Sequence, residues 1–129
     1  MTDSILERLK GEQLLQVWFV TDYLQLIFGV SLSLQCFVWP TIRSGPEVRS
    51  FPSSGYRDAL CDLIMKPVSA VEENDRVGLV IDFGCEQIVV SPNTKDLIGP
   101  EIALFSELGD PSSDWQVWQP GDETFPSLG

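Results

Sequence analysis

The sequence predicts a mainly β domain of the α+β kind: two consecutive three-stranded antiparallel meanders, forming packed or continuous sheet, with two or three short helices. Three observations carry this. Over residues 30–39 (VSLSLQCFVW), Leu32, Leu34 and Cys36 alternate with Ser31, Ser33 and Gln35, the period of two of a strand with one buried face. The other apolar runs are short and joined by tight polar or glycine links, as in a meander. The runs also fall into two sets that resemble each other, residues 4–39 and 56–91, within a single domain of 129 residues.

In chain order, Ser4-x-x-Glu7 ahead of Ile5, Leu6 and Leu9 is a capping box, with Gly11 as a stop, and predicts a helix near 4–10. QLLQVWFV (13–20), YLQLIF (23–28) and 30–39 form the first meander, turning at Thr21-Asp22 and Gly29. Residues 40–54, rich in Pro, Ser and Gly, are expected as a loop. Tyr56, Leu60, Leu63 and Ile64 share one stripe of a helix over 55–65, ended by Pro67. Strands over 67–72, 77–83 and 86–91 follow, the first two linked by a Glu73–Arg76 turn, with Val77, Leu79, Ile81 and Phe83 on one face. Gly99-Pro100-Glu101 reads as a helix start and Gly109 as its end. WQVW (115–118) suits a last edge strand, and Pro120 and Pro126 an irregular tail.

The two sets align Leu9…Val17 with Leu63…Val71, and Leu24-x-Leu26-x-Phe28-Gly29 with Leu79-x-Ile81-x-Phe83-Gly84. After one inserted residue, Leu32-x-Leu34 aligns with Ile88-x-Val90.

Charge narrows the function classes. Nineteen acids oppose eight bases, a formal net charge of −11. Nucleic-acid binding needs clustered Lys and Arg, and an anionic membrane would repel this surface. Lys95 is the last base; the acidic segment 96–129 holds seven acids and carries −7. A one-sign field at one end suits steering toward a basic protein, and an acidic surface also serves solubility.

Reactive groups are sparse. Histidine, the commonest general base and metal ligand, is absent. Cys36, Cys61 and Cys85 are odd in number, without a CxxC, and sit in apolar contexts, so buried thiols in a reducing cytoplasm are expected. The N-terminal stretch lacks the apolar core of a signal peptide, and no apolar run reaches the ~20 residues of a membrane span. Glu72, Glu73 and Asp75 cluster, and Asp58 and Asp62 stand one helical turn apart, but Arg57, Lys66 and Arg76 lie near enough to pair with them. Solvated acids are the commoner outcome than a catalytic carboxylate pair. No enzyme activity, cofactor or metal is therefore expected.

The contact candidates are Asp110, Asp114, Trp115, Trp118, Asp122 and Glu123, where aromatics stand among acids, with Glu72, Glu73 and Asp75 second. The two Trp serve equally to close the open end of the core, the commoner use of a terminal strand.

FVTDYLQLIF (19–28), GYRDALCDLI (55–64), VIDFGCEQIVV (80–90), GPEIALF (99–105) and WQVWQPGDETF (115–125) together cover most of the chain. In that order they resemble a widespread family of small acidic bacterial proteins with DYxQL, GYRDxLC and GPExA signatures. No catalytic residue carries over. The resemblance implies an immunity or antitoxin protein, of the kind encoded beside a secretion-system effector, that neutralises a cognate basic toxin domain by binding it. The alternatives are a non-catalytic assembly protein, homodimeric through an edge strand, and a carboxylate-based enzyme.

Overall fold

The computed structural model describes residues 5–21, 23–51, 53–74, 78–90, 102–107 and 116–118. The protein is mainly β, with two five-stranded antiparallel sheets facing a common core. A 3-10 helix (Ile5–Leu9) leads into β1 (Leu14–Val20), β2 (Tyr23–Phe28) and β3 (Leu32–Cys36). β4 (Thr41–Ser44) and β5 (Glu47–Arg49) follow, then α1 (Tyr56–Cys61). The second half continues with β6 (Ala70–Asn74), β7 (Gly78–Asp82), β8 (Glu86–Val90), β9 (Ala103–Glu107) and β10 (Gln116–Trp118).

The sheets exchange their last strands. One is ordered β1-β2-β3-β9-β10 and the other β5-β4-β8-β7-β6. The β4–β5 hairpin follows β3 in the chain but pairs with β8, while β9 follows β8 but pairs with β3. This crossing ties the halves together more firmly than two separate meanders would be tied.

A local twofold relation organises the junction. Gln13 and Pro67 form an antiparallel bridge. Around it, Gly11 N–H donates to the Val68 carbonyl (2.8 Å) and Met65 N–H to that of Leu14 (2.6 Å). Likewise Leu14 N–H donates to Lys66 (3.1 Å) and Val68 N–H to Glu12 (2.9 Å). Each pair of bonds becomes the other when every residue is exchanged for the one 54 positions away. The registers agree: Val17 opposes Leu26 as Val71 opposes Ile81, and Phe19 opposes Leu24 as Glu73 opposes Leu79. The third strands sit two residues from the expected alignment. Leu34 opposes Leu26 and Ile88 opposes Ile81, so Leu34 matches Ile88 and Cys36 matches Val90.

The inner faces meet as the period of two requires. Leu24, Leu26 and Phe28 pack with Leu34, Cys36, Phe105 and Trp118 of one sheet, and Leu79, Ile81, Ile88, Val90 and Ile42 of the other. Leu6, Leu9, Tyr56, Leu60 and Leu63 close two corners of this core. Each fully buried aliphatic side chain contributes roughly 1.5–3 kcal/mol. On the far side of the first sheet Ser33 is buried rather than solvated, and Gln25 Nε2 donates to its Oγ at 3.1 Å.

Several expectations are corrected. Residues 40–54 contain the β4–β5 hairpin, turned at Gly45 (φ 60). Its strands are short and polar, and only Ile42 reaches the core, so periodicity is too weak to reveal them. The helix expected across 99–109 is strand β9 over Ala103–Glu107, because the open edge of β3 takes it as a partner; residues 99–101 and 109 lie outside the described residues. α1 ends at Cys61, and the chain turns back to Met65 in a left-handed conformation (φ 79). Glu73 and Asn74, expected in a turn, belong to β6. Of the three thiols only Cys36 is buried; Cys61 and Cys85 are exposed. Among the described residues there is one α-helix and one 3-10 helix, and no helix long and apolar enough to cross a membrane.

Candidate interaction surface

Trp118, expected at a contact surface, is fully buried in the core, so it has no face to offer a partner. Its indole Nε1 donates to Glu73 Oε2 at 3.0 Å, joining β10 of one sheet to β6 of the other. Glu73 is thereby turned inward and half-buried, while Glu72 on the next position is exposed. Asp75, Asp110, Asp114, Trp115, Asp122 and Glu123 lie outside the described residues.

Acids do converge elsewhere. A cleft of about 330 Å³ lies between α1 and the strands β4, β5 and β8. Ile42, Ala59 and Leu63 supply its apolar part, and Glu47, Asp58, Asp62 and Glu86 its carboxylates. The helix starts at Gly55 (φ 85), and its side-chain-free Cα leaves room for Arg49, whose Nη1 would lie 2.8 Å from an added Cβ. Arg49 pairs with Glu47 at 3.1 Å, and Lys66 with Glu86 at 3.0 Å. Of the bases expected to neutralise these acids, Lys66 is engaged on Glu86 and Arg57 over the Phe19 ring at 5.8 Å, while Arg76 lies outside the described residues. Asp58 and Asp62, at i and i+4, have no ion pair among the described residues.

The matching corner, at the 3-10 helix, is electrostatically closed. Arg8 and Asp62 are 54 residues apart, and Glu107 opposes Leu32 as Ser44 opposes Glu86. At the first corner Arg8 Nη2 meets Glu107 Oε1 at 2.7 Å. At the second, an aspartate and a serine occupy those two places. The same backbone frame therefore holds a completed ion pair on one side and only an anion on the other. In the sequence Asp58 and Asp62 stand as a pair one helical turn apart, and nothing local to them places Ser44 and Glu86 across from them.

Burial pushes the Cys36 thiol up from 9.0 to about 12, far from a nucleophilic thiolate at neutral pH. Among the described residues no group of three or more Cys, Asp or Glu is arranged to hold a metal ion. Comparisons with family models, with curated proteins and with solved structures returned no match.

Proposed function

We propose that the chain is an immunity-type inhibitor, which neutralises a basic toxin domain by binding it and carries out no chemistry of its own. The observation that carries this reading is the α1 corner. There Asp62, with Asp58 a turn away, stands where the other corner keeps an arginine, and among the described residues no base pairs with either aspartate. A Lys or Arg side chain from a partner supplies the missing half over an apolar floor of Ile42, Ala59 and Leu63. The overall charge of −11, with −7 after Lys95, speeds the approach of a basic protein.

The test is binding to the toxin domain encoded by the neighbouring gene, measured by calorimetry and by protection of cells producing it. Asp58→Lys with Asp62→Lys is expected to weaken binding tenfold or more. Asp110, Asp114, Asp122 and Glu123 changed together to Ala are expected to slow association with a smaller change in dissociation. Undiminished binding and protection by both variants would overturn the reading.

A further inference from the structure

Among the described residues the two sheets have four outer strands, and three are guarded against pairing with another strand. β5 has three residues, with Glu47 and Arg49 paired to each other. β10 also has three. β6 carries Glu72 and Glu73 side by side. β1 has seven residues, LLQVWFV, with no charge, proline or glycine. Short length, charge and proline are the usual protections of a sheet edge, and β1 has none of them. Its start is tied to the 65–68 segment through Leu14, but beyond that point Gln16–Val20 has no strand beside it among the described residues.

Apolar side chains flank that edge. Leu15 is 37% exposed, Trp18 48%, Phe19 38% and, beside Leu14, Met65 61%. Trp18 Nε1 donates to Gln16 Oε1 at 2.7 Å, so the two exposed side chains on one face are already ordered.

We infer that β1 is the seam for a second copy of this chain, the two β1 strands pairing antiparallel about a twofold axis at Trp18 and joining the sheets into one of twice the width. The symmetry sets Trp18 against Trp18, Val17 against Phe19 and Gln16 against Val20 of the second copy. Every cross-strand pair is then uncharged, in a molecule whose net −11 sets copies against each other elsewhere. A foreign basic partner would gain nothing from this edge, which has no acid to pair. The exposed side chains and strand edge bury on the order of 1,000 Å² in total across two copies, the low end of specific interfaces, so the dimer is concentration-dependent. The surface is distinct from the α1 cleft and stands independently of the toxin-binding reading.

Light scattering and sedimentation from micromolar to millimolar protein test this. The mass is expected to rise from 14.4 kDa toward twice that value. Trp18→Glu with Phe19→Glu, which copies the charges of β6 onto β1, is expected to weaken association at least tenfold while the circular dichroism is unchanged. Val48→Glu on the exposed β5 edge is expected to leave it intact. Trp18→Cys, with Cys61→Ser and Cys85→Ser, is expected to form a disulfide-linked dimer on oxidation, because directly opposed residues bring their Cβ atoms within disulfide reach. A monomer at every concentration, a dimer indifferent to the double Glu variant, or failure of the Trp18→Cys variant to cross-link would each overturn the inference.

Discussion

Among the described residues β1 and β6 are each an outer strand of their sheet, and the hydrogen bonds around Gln13 and Pro67 relate them position by position. Val17 matches Val71, and both turn toward the core. At the next two positions the strands diverge: Trp18 and Phe19 on β1, Glu72 and Glu73 on β6. The inward member of the acidic pair receives the indole of Trp118, so β6 is closed from inside the core. Phe19 has the Arg57 guanidinium above it and stays partly exposed. The two corners diverge in the same way, one holding Arg8–Glu107 and the other Asp62 and Ser44. Matching backbone positions set where a side chain stands; whether that place becomes a sealed joint or an available surface depends on one or two side chains.

The largest way to break the comparison is at Trp118. Trp118→Ala removes a fully buried ring and leaves Glu73 without its indole donor, and about 3–5 kcal/mol of stability is expected to go with it. Trp18→Ala, on the exposed side of the matching edge, is expected to cost the monomer under about 1 kcal/mol. Urea unfolding of the two variants measures the gap, and similar costs would show that the edges are packed alike.

Alkaline unfolding sharpens the contrast between the sheets. Cys36 is buried on β3, whereas Cys85, before β8, is exposed. Burial raises the Cys36 thiol to about 12, so the folded form keeps a proton that the unfolded chain releases near 9.0. The associated stability is complete below pH 9 and is lost as pH rises from there through about 12, at roughly 1.4 kcal/mol per pH unit for the one proton. Burial, and then the charge of Cys36, raises the Tyr56 hydroxyl too, and its contribution fades in the same direction at still higher pH. Urea midpoints above pH 9 should fall less steeply in Cys36→Ala. A thiol reagent at neutral pH should label two cysteines in the folded protein and the third only on unfolding.

A smaller effect comes from rebuilding one corner as the other. Asp62→Arg with Ser44→Glu transplants the Arg8–Glu107 pair into the cleft. Between partly exposed groups such a pair is worth about 0.2–1 kcal/mol, so stability should barely move. Binding of a basic partner should be lost, which separates recognition from folding.

Much of the strand content was legible because it depends on local alternation. Leu34 and Cys36 against Ser33 and Gln35 follow the period of two into β3, and Leu79, Ile81 and Phe83 of the run expected over 77–83 enter the core. Tyr56 and Leu60 of the expected stripe are buried on α1, and Leu63 is buried in the turn beyond its end. The hairpin over β4 and β5 was hidden because three- and four-residue strands around Gly45 carry too little pattern. β9 resembles a helix in the sequence because Gly99-Pro100-Glu101 has the residues of a helix start, while its two buried residues, Ala103 and Phe105, read as strand only once β3 lies beside them. Trp118 sat among acids in the sequence, and nothing local to it indicated that Glu73, 45 residues away, would meet its nitrogen.

The residues alone determined the acidity, the absence of histidine, the main strands and the two similar halves, since composition and short-range periodicity are local properties of a chain. Tertiary structure decided which strands lie at the edges, which aspartates lost their neighbouring bases to other partners, and which tryptophan is core. Those outcomes depend on groups far apart in sequence competing for the same neighbours, and that competition is settled only when the sheets exchange strands and close.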